Sequence, residues 1–179
     1  MWYNNFGDKM KNKKLLKEII SYILILLVVL LFRLYLFSPI VVRETSMVPT
    51  LHDGDVMILN KIGYKLNGLK RFDIVILRYD GEKLIKRLIG LPGEDIEYID
   101  NKLYVNGKQV EEDYTRKETE DFILEVTGYS KIPEDKYLVM GDNRPYSKDS
   151  RTIGLIDKKD IVGYANTVIY PFTDIGKVK

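Results

Sequence analysis

The segment FDIVILRY at residues 72–79 is followed by Asp80-Gly81 and then by LIKRLI at residues 84–89. Both runs are rich in the aliphatic and aromatic side chains that favour strands, and Asp-Gly is a strong turn signal. The pattern therefore predicts two strands of a β domain, divided by a tight turn.

The same pattern continues on both sides of this segment. Asp100-Asn101 and Asn106-Gly107 are further dipeptides typical of β-hairpins. The other predicted strands cover residues 56–59, 96–99, 103–105, 137–140 and 161–170. After Pro39 no helical period of useful length occurs, and only the highly charged residues 111–121 are predicted to be either helical or irregular. The predicted fold class is all-β, a single antiparallel domain that is sandwich- or barrel-like.

The N-terminal part of the chain has a different character. Residues 19–37 read IISYILILLVVLLFRLYLF, and Arg33 is the only charge in them. As a helix this run would be roughly 28 Å long, close to the thickness of the hydrocarbon core of a bilayer. Two alternatives are a cleaved secretory signal and a buried core helix. The run is long for a signal, no A-x-A site follows it, and it has no polar face, so we predict an uncleaved transmembrane anchor.

The charges before this run predict its orientation. Five lysines precede it: Lys9, Lys11, Lys13, Lys14 and Lys17. Because positive residues favour the cytoplasmic side, residues 1–18 are predicted to be cytoplasmic and residues 38–179 extracytoplasmic, in a single-pass protein of the cell membrane.

The composition excludes several kinds of site. The chain has 179 residues with no cysteine, one histidine (His52) and a formal net charge of +2. Cysteine-based chemistry and a His-rich metal site are therefore excluded, and the charge balance gives no reason to expect nucleic acid as a partner. We expect no metal and no cofactor, and the lipid bilayer as one partner.

Two residue patterns could carry chemistry. Ser46 lies in a turn-like segment nine residues after Phe37, so its distance from the membrane edge is at most roughly 30 Å. In the predicted strand 84–89, Lys86 and Arg87 lie on opposite faces. One of them could be buried, and burial would lower the pKa of a lysine so that it can act as a base. The spacing by itself favours the alternative, that both cations extend to solvent from an edge strand.

A third pattern is the loop GDNRPYSKDSR at residues 141–151, which is too dense in turn formers to be a strand. Such loops are often hydrogen-bonded scaffolds, and functional sites are often built on them. An ion pair between Asp149 and Arg151 would hold the loop in one conformation, and Ser147 could orient a neighbouring amine.

Three motifs together resemble those of bacterial type I signal peptidases. They are SMVPTL at residues 46–51, LIKRLIGLPGE at 84–94 and GDNRPYSKDSR at 141–151, in this order after one predicted anchor. RFDIVILRY at 71–79 resembles the family's intervening motif. The resemblance covers nearly the whole chain and is to the small, single-anchor form of the family.

The resemblance implies a role for each matching residue. Ser46 would be the nucleophile and Lys86 the general base. Ser147 would hydrogen-bond the lysine, and Met47 and Pro49 would shape the turn. Residues expected to hold the loop are Asp142, Asp149 and Arg151. His52 has no role in this pattern and is interpreted as an ordinary turn residue.

The implied function is serine endopeptidase activity that removes signal peptides from exported preproteins after small residues. Two alternatives remain. One is a related Ser-Lys peptidase with a single dedicated substrate, and the other is a non-catalytic, membrane-tethered β module that binds exported chains.

One position departs from the resemblance. Two residues before the nucleophile the family usually carries glycine or serine, whereas this chain has Glu44. A carboxylate close to Lys86 would raise the pKa of the amine and oppose its use as a base. We therefore expect Glu44 to point away from Lys86, towards solvent or a basic partner such as Arg43.

Overall fold

The computed structural model describes residues 4–178, and the side chains of residues 13–31 and 36–178. The chain forms two compact units, residues 1–37 and 38–179. The first unit consists mainly of helix α1, Asn4–Tyr35. Its described side chains, at residues 13–31, are all exposed.

The predicted anchor covers residues 19–37, and the side chains of residues 32–35 lie outside the described part of the chain. The predicted cytoplasmic segment covers residues 1–18, and most of its side chains also lie outside the described part. By length and hydropathy, no helix qualifies as a membrane span within the residues that the structure describes.

The second unit is built from antiparallel strands, as the sequence predicts. The strands of the larger sheet are β1 (Phe37–Val41), β2 (Val56–Asn60), β3 (Ile74–Tyr79), β4 (Glu82–Gly90), β9 (Lys136–Met140), β10 (Ile156–Asp157), β11 (Ile161–Tyr164), β12 (Thr167–Tyr170) and β13 (Gly176–Lys177). The smaller sheet contains β5 (Ile96–Ile99), β6 (Lys102–Val105), β7 (Lys108–Val110) and β8 (Phe122–Ile123). Two short helices, α2 (Gly63–Asn67) and α3 (Ser150–Ile153), lie in connections.

The strand order places β4 inside the larger sheet. The order is β10-β9-β4-β3-β11-β2-β12-β13, with β1 paired to β2, and the smaller sheet has the order β7-β6-β5-β8. Strand β4 pairs with β3 along its first part and with β9 along its second. Its residues 84–90 are all buried. The prediction of an edge strand for Lys86 and Arg87 is therefore wrong, since both cations lie on an internal strand.

Three dipeptides form two-residue hairpin turns. Asp80-Gly81 joins β3 to β4, Asp100-Asn101 joins β5 to β6, and Asn106-Gly107 joins β6 to β7, and all six residues have positive φ angles. This conformation matches the twist of the flanking strands, and Asn, Asp and Gly adopt it at the least cost. The sequence signal at these turns is confirmed.

Three hydrophobic clusters meet at β4. Ile85 packs in a cluster with Met47, Leu51 and Ile76. Ile89 packs in a second cluster together with buried residues of the smaller sheet, Tyr98 among them. A third cluster contains Leu84 and Leu88 together with Val75, Leu77 and Val139. Strand β4 is therefore surrounded by apolar side chains along most of its length.

Two sequence predictions need correction. The single strand predicted for residues 161–170 is two strands, β11 and β12, interrupted at Ala165 and Asn166. Ala165 is fully buried, and its N–H donates to the carbonyl of Ile74 at 2.8 Å. Residues 111–121 form neither helix nor strand, which decides between the two predicted alternatives.

Gly163 allows the close approach of β11 and β2, at a β-bulge opposite β3. A Cβ atom at this position would lie under 3.0 Å from the backbone oxygen of Asn60. We expect Gly163→Ala to destabilise the protein by about 1–3 kcal/mol, because a backbone atom cannot rotate away from the added methyl group. Chemical denaturation of the two proteins measures this difference.

Gly176→Ala is the matched control. Gly176 is also a strand glycine, but a Cβ added there meets nothing within 4 Å. We expect its free energy of unfolding to stay close to that of the wild type. Equal destabilisation by the two substitutions would contradict the steric explanation.

Candidate active site

The turn at residues 45–51 carries Ser46 between β1 and β2. Its backbone is closed by hydrogen bonds from Val48 N to Thr45 O at 3.1 Å and from Leu51 N to Met47 O at 3.0 Å. Met47 and Leu51 are buried in the core and fix the turn to the domain. Ser46 itself is 6% exposed, so its hydroxyl lies in a site with little water.

A second segment, the loop at residues 141–151, holds this turn in place. The backbone N–H of Asn143 donates to Ser46 O at 2.9 Å. The side-chain amide of Asn143 donates to Thr45 O at 3.0 Å. These two bonds connect segments almost a hundred residues apart and fix the position of the nucleophile candidate relative to β9.

Lys86 extends from β4 to the Ser46 hydroxyl. Lys86 is paired with Val75 of β3, and it is 1% exposed. Lys86 Nζ lies 2.7 Å from Ser46 Oγ. The two residues that the sequence singles out as nucleophile and base are therefore in hydrogen-bond contact inside the protein.

Burial lowers the pKa of Lys86 below its ordinary value, because the charged amine loses its hydration. The carboxylate of Glu44 acts in the opposite direction through its charge and its hydrogen bond, and the charge of Asp149 adds to this. Burial is the largest of these effects. The overall direction is the one that a lysine base requires.

The orientation expected for Glu44 is wrong. Glu44 Oε2 lies 3.2 Å from Lys86 Nζ and accepts a hydrogen bond from Ser46 Oγ at 3.0 Å. Residues 42–44 are not part of a strand, and Glu44 and Ser46, two positions apart, both contact Lys86. A bend is present at Thr45, but it does not turn the Glu44 carboxylate away from Lys86.

Asp142 is the anchor of the loop, as the sequence predicts. Its carboxylate accepts two hydrogen bonds from Arg87, from Nε at 2.8 Å and from Nη2 at 2.6 Å. Both side chains are buried. Arg87 also donates to Phe72 O and stacks on the ring of Tyr114, with 3.8 Å from Cζ to the ring centroid.

The predicted ion pair between Asp149 and Arg151 is also present. Asp149 Oδ2 accepts from Arg151 Nη2 at 2.8 Å and from the backbone N–H of Gly141 at 2.9 Å. The next residue, Ser150, accepts from Val139 N through its hydroxyl at 2.9 Å. These bonds tie the end of the loop to the end of β9.

The hydrogen bond expected between Ser147 and Lys86 is not formed. Ser147 Oγ is buried and has no hydrogen-bond partner among the described residues. A Cβ atom at Gly141 would overlap both Ser147 Oγ and the carbonyl oxygen of Ser46. Ser147 is therefore close to the Ser46 backbone, and Lys86 uses Glu44 and Ser46 as its partners.

A buried cluster around Arg144 was missed by the sequence analysis. Arg144 Nη2 donates to Glu112 Oε1 and to Tyr114 Oη, both at 2.9 Å, and Glu112 also accepts from Tyr98 at 2.7 Å. Burial by itself would raise the pKa of Glu112, but the charge of Arg144 and these hydrogen bonds lower it overall. Two sequence features lie in this cluster, the charged segment 111–121 and Arg144 of the loop. Neither feature indicates that the two segments contact each other.

His52 has the exposed turn position that the sequence predicts. Its backbone N–H donates to Asp55 Oδ2 at 2.8 Å. Within the described residues, no group of three or more His, Asp or Glu side chains is arranged to hold a metal ion.

A cleft of about 580 Å³ opens beside Ser46. Its apolar walls are formed by Ile40, Val42, Met47 and Ile85, and its rim carries Arg43, Glu44, Glu82 and Lys83. The apolar walls would accept small aliphatic groups next to the Ser46 hydroxyl.

The geometry defines a class of protein. A buried lysine with a lowered pKa beside a serine hydroxyl is an arrangement that activates serine as a nucleophile, and it does so without histidine or metal. The fold and the site are those expected of a serine hydrolase with a lysine base.

Comparisons with known proteins identify the family. Residues 15–170 match the model of the family described as signal peptidase, peptidase S26. Signal peptidase I of Bacillus licheniformis is 44% identical over 95% of this chain and 97% of its own length. Signal peptidase I S of Bacillus subtilis strain 168 is 38% identical over 93% of this chain and 95% of its own length. The chain belongs to the signal peptidase family, peptidase S26.

A solved structure supports the same assignment. The crystal structure of a signal peptidase I from Enterococcus faecalis V583 superposes with a TM-score of 0.51 and is 40% identical. The superposition covers 54% of this chain and 95% of the other. The resemblance inferred from the three sequence motifs is confirmed, and the chain is a serine endopeptidase of the signal peptidase I type.

The lowered pKa of Lys86 has a consequence for the pH dependence of cleavage. An amine accepts a proton only in its neutral form, so with Lys86 as the base the rate should rise as pH increases through the pKa of Lys86 and then level off. The plateau should be reached below the free-lysine value of about 10.4. Steady-state cleavage of a peptide substrate across this range measures the profile. A rate that keeps rising into the free-lysine range would show that Lys86 is not the tuned base.

Proposed function

We propose that this protein removes signal peptides from exported preproteins after small residues, with Ser46 as nucleophile and Lys86 as general base. The observation that carries the proposal is the 2.7 Å contact between Lys86 Nζ and Ser46 Oγ in a buried site. Supporting roles in holding the site belong to Met47, Asp142, Asp149 and Arg151.

Acylation begins with neutral Lys86. Its amine takes the proton of Ser46 as Oγ attacks the carbonyl carbon of the scissile peptide bond. The negative charge that develops on the carbonyl oxygen needs a hydrogen-bond donor, and the backbone N–H of Ser46 is a candidate. The ionised Glu44 side chain has no proton to donate and cannot fill this part. When the intermediate collapses, Lys86 returns the proton to the leaving amine.

Deacylation repeats the same proton transfers with water. Lys86 takes a proton from a water molecule, whose oxygen attacks the ester carbonyl. The ester bond to Ser46 Oγ then breaks and the proton passes to the serine. The proposed mechanism needs no cofactor.

The preprotein is proposed to bind in the cleft beside Ser46. An extended segment can pair through its main chain with a strand edge, which tolerates varied sequences. The apolar walls at Val42 and Ile85 then select small side chains next to the scissile bond.

We also propose that residues 19–37 anchor the protein in the cell membrane, with residues 1–18 in the cytoplasm and residues 38–179 outside. The apolar run and the lysines before it support this proposal. The lipid bilayer would then be a partner of the first unit.

The assignment of nucleophile and base can be tested by substitution. Ser46→Ala and Lys86→Ala should each abolish cleavage of a preprotein, while circular dichroism and thermal unfolding show a folded domain. Because the two groups act together, the double variant should be little worse than either single variant. Substantial cleavage by Ser46→Ala would rule out the proposed nucleophile.

His52→Ala is the control for this experiment. His52 is the chain's only histidine, and its side chain is exposed. Cleavage by this variant should match that of the wild type. Loss of cleavage in a folded His52→Ala protein would instead assign the base to histidine.

The proposed orientation can be tested in intact cells. Protease added to protoplasts should degrade the β unit, because residues 38–179 are proposed to lie outside the membrane. An epitope tag at the N-terminus should remain protected until the cells are lysed. Protection of the β unit in intact protoplasts would contradict the orientation.

A further inference from the structure

The carboxylate of Glu44 completes a three-membered hydrogen-bond ring with the proposed catalytic pair. Lys86 Nζ donates to Ser46 Oγ at 2.7 Å and to Glu44 Oε2 at 3.2 Å. Ser46 Oγ donates to the same oxygen of Glu44 at 3.0 Å. A single carboxylate oxygen therefore accepts from both members of the pair.

The directions of these bonds are opposite to those that catalysis needs. A general base must accept the serine proton through a free lone pair, whereas an ammonium group has three donors and no acceptor. In the ring, the Ser46 proton points to Glu44 and Lys86 is a donor to both partners. The ring is thus an arrangement of charged lysine and un-ionised serine, before any proton transfer.

Glu44 is the carboxylate whose contact with Lys86 can be released. Asp149 also faces Lys86 electrostatically, but it is fully buried and paired with Arg151. Asp142 is buried and paired with Arg87. The strands that flank β4, β3 and β9, contain no carboxylate. Apart from apolar residues they contain only Arg78, Tyr79, Lys136 and Tyr137, which lie at the strand ends.

The position of Glu44 allows this release. Its side chain is 43% exposed, whereas that of Lys86 is 1% exposed. The neighbouring Val42 is buried, and its N–H donates to Asp55 O at 2.8 Å, so the backbone stays anchored when the carboxylate moves. Glu44 also lies on the rim of the cleft where the preprotein is proposed to bind, together with Arg43 and Lys83.

We propose that Glu44 is a positioning residue that restrains the Ser46–Lys86 pair in the free enzyme, and that an extended substrate in the cleft displaces its carboxylate. This inference rests on the proposed function. In the free enzyme, Glu44 holds Lys86 as a cation and the Ser46 proton away from it. Displacement is also required because a carboxylate at this position would repel the oxyanion that forms next to Ser46.

Glu44→Gln tests the charge and Glu44→Ala tests the whole contact. Without the carboxylate, Lys86 loses its proton at lower pH, so the acidic limb of the kcat/KM profile should move down by about one unit. Below the wild-type limb, kcat/KM should then rise about tenfold. Glu125→Gln, at an exposed glutamate on the smaller-sheet side of the domain, removes the same charge and should leave the profile unchanged.

The profile of kcat provides the decisive comparison. The acidic limb of kcat/KM reports the free enzyme, and that of kcat reports the enzyme–substrate complex. If substrate displaces Glu44, the limb of kcat should move less than the limb of kcat/KM on substitution. Equal movement of both limbs would contradict displacement, and no movement of either would contradict the restraint.

A measurement without turnover separates this inference from the proposed function. The pKa of Lys86 can be read from an NMR titration of its side-chain signal, assigned with Lys86→Arg. It should fall by about one unit in Glu44→Gln relative to the wild type and to Glu125→Gln. An unchanged pKa would overturn the restraint even if cleavage depends on Ser46.

Cleavage by the variants distinguishes the remaining outcomes. A silent wild type with Ser46-dependent cleavage by Glu44→Gln would support the restraint in its strongest form. Loss of cleavage in a folded Glu44→Gln protein would show that the carboxylate is needed, and would overturn the restraint. Failure of every variant and of the wild type to cleave would refute the proposed function, while the NMR titration still decides the role of Glu44.

Discussion

The guanidinium group of Arg87 forms two hydrogen bonds with the carboxylate of Asp142, and both side chains are excluded from water. Removing one partner of such a pair costs about 3–5 kcal/mol, because the other charge is left buried and unpaired. The pair joins the middle of β4 to the first residues of the loop after β9. Since Asn143, the next residue in that loop, hydrogen-bonds the turn of Ser46, the position of the serine depends on this ion pair.

The adjacent cation, Lys86, is buried on the same strand but has a different chemical consequence. Arginine keeps its proton in proteins, so Arg87 requires a fixed counter-ion and has one. Lysine can lose its proton when burial makes the charge costly, and the pKa of Lys86 is lowered for this reason. Two neighbouring positions of one strand thus supply a permanent charge that holds the loop and an amine that can lose its proton and act as a base. The carboxylate of Glu44 raises the pKa of Lys86 and so opposes the loss of its proton, at the cleft where the substrate would bind.

Much of the fold and of the site could be predicted from local sequence. Asp80-Gly81, Asp100-Asn101 and Asn106-Gly107 predicted their hairpins because the required backbone angles depend on those residues alone. The ion pair of Asp149 with Arg151 was predictable because the partners are two positions apart. The interruption of 161–170 was not, since it depends on how Ala165 packs against β3. Nor was the environment of Ser147, whose buried hydroxyl has no hydrogen-bond partner among the described residues.

The sequence by itself determined which residues could do chemistry: a chain with no cysteine and one histidine has Ser46 and Lys86 in motifs that resemble a known family of peptidases. The strands and turns around these residues could also be predicted, because they depend on residues that are neighbours in the sequence. Only the tertiary structure decided that Lys86 is buried on an internal strand and that Glu44, 42 positions earlier, reaches its amine. Burial and the electric field at a titratable group depend on every segment packed around it, and strand alternation within one segment does not specify which segments those are.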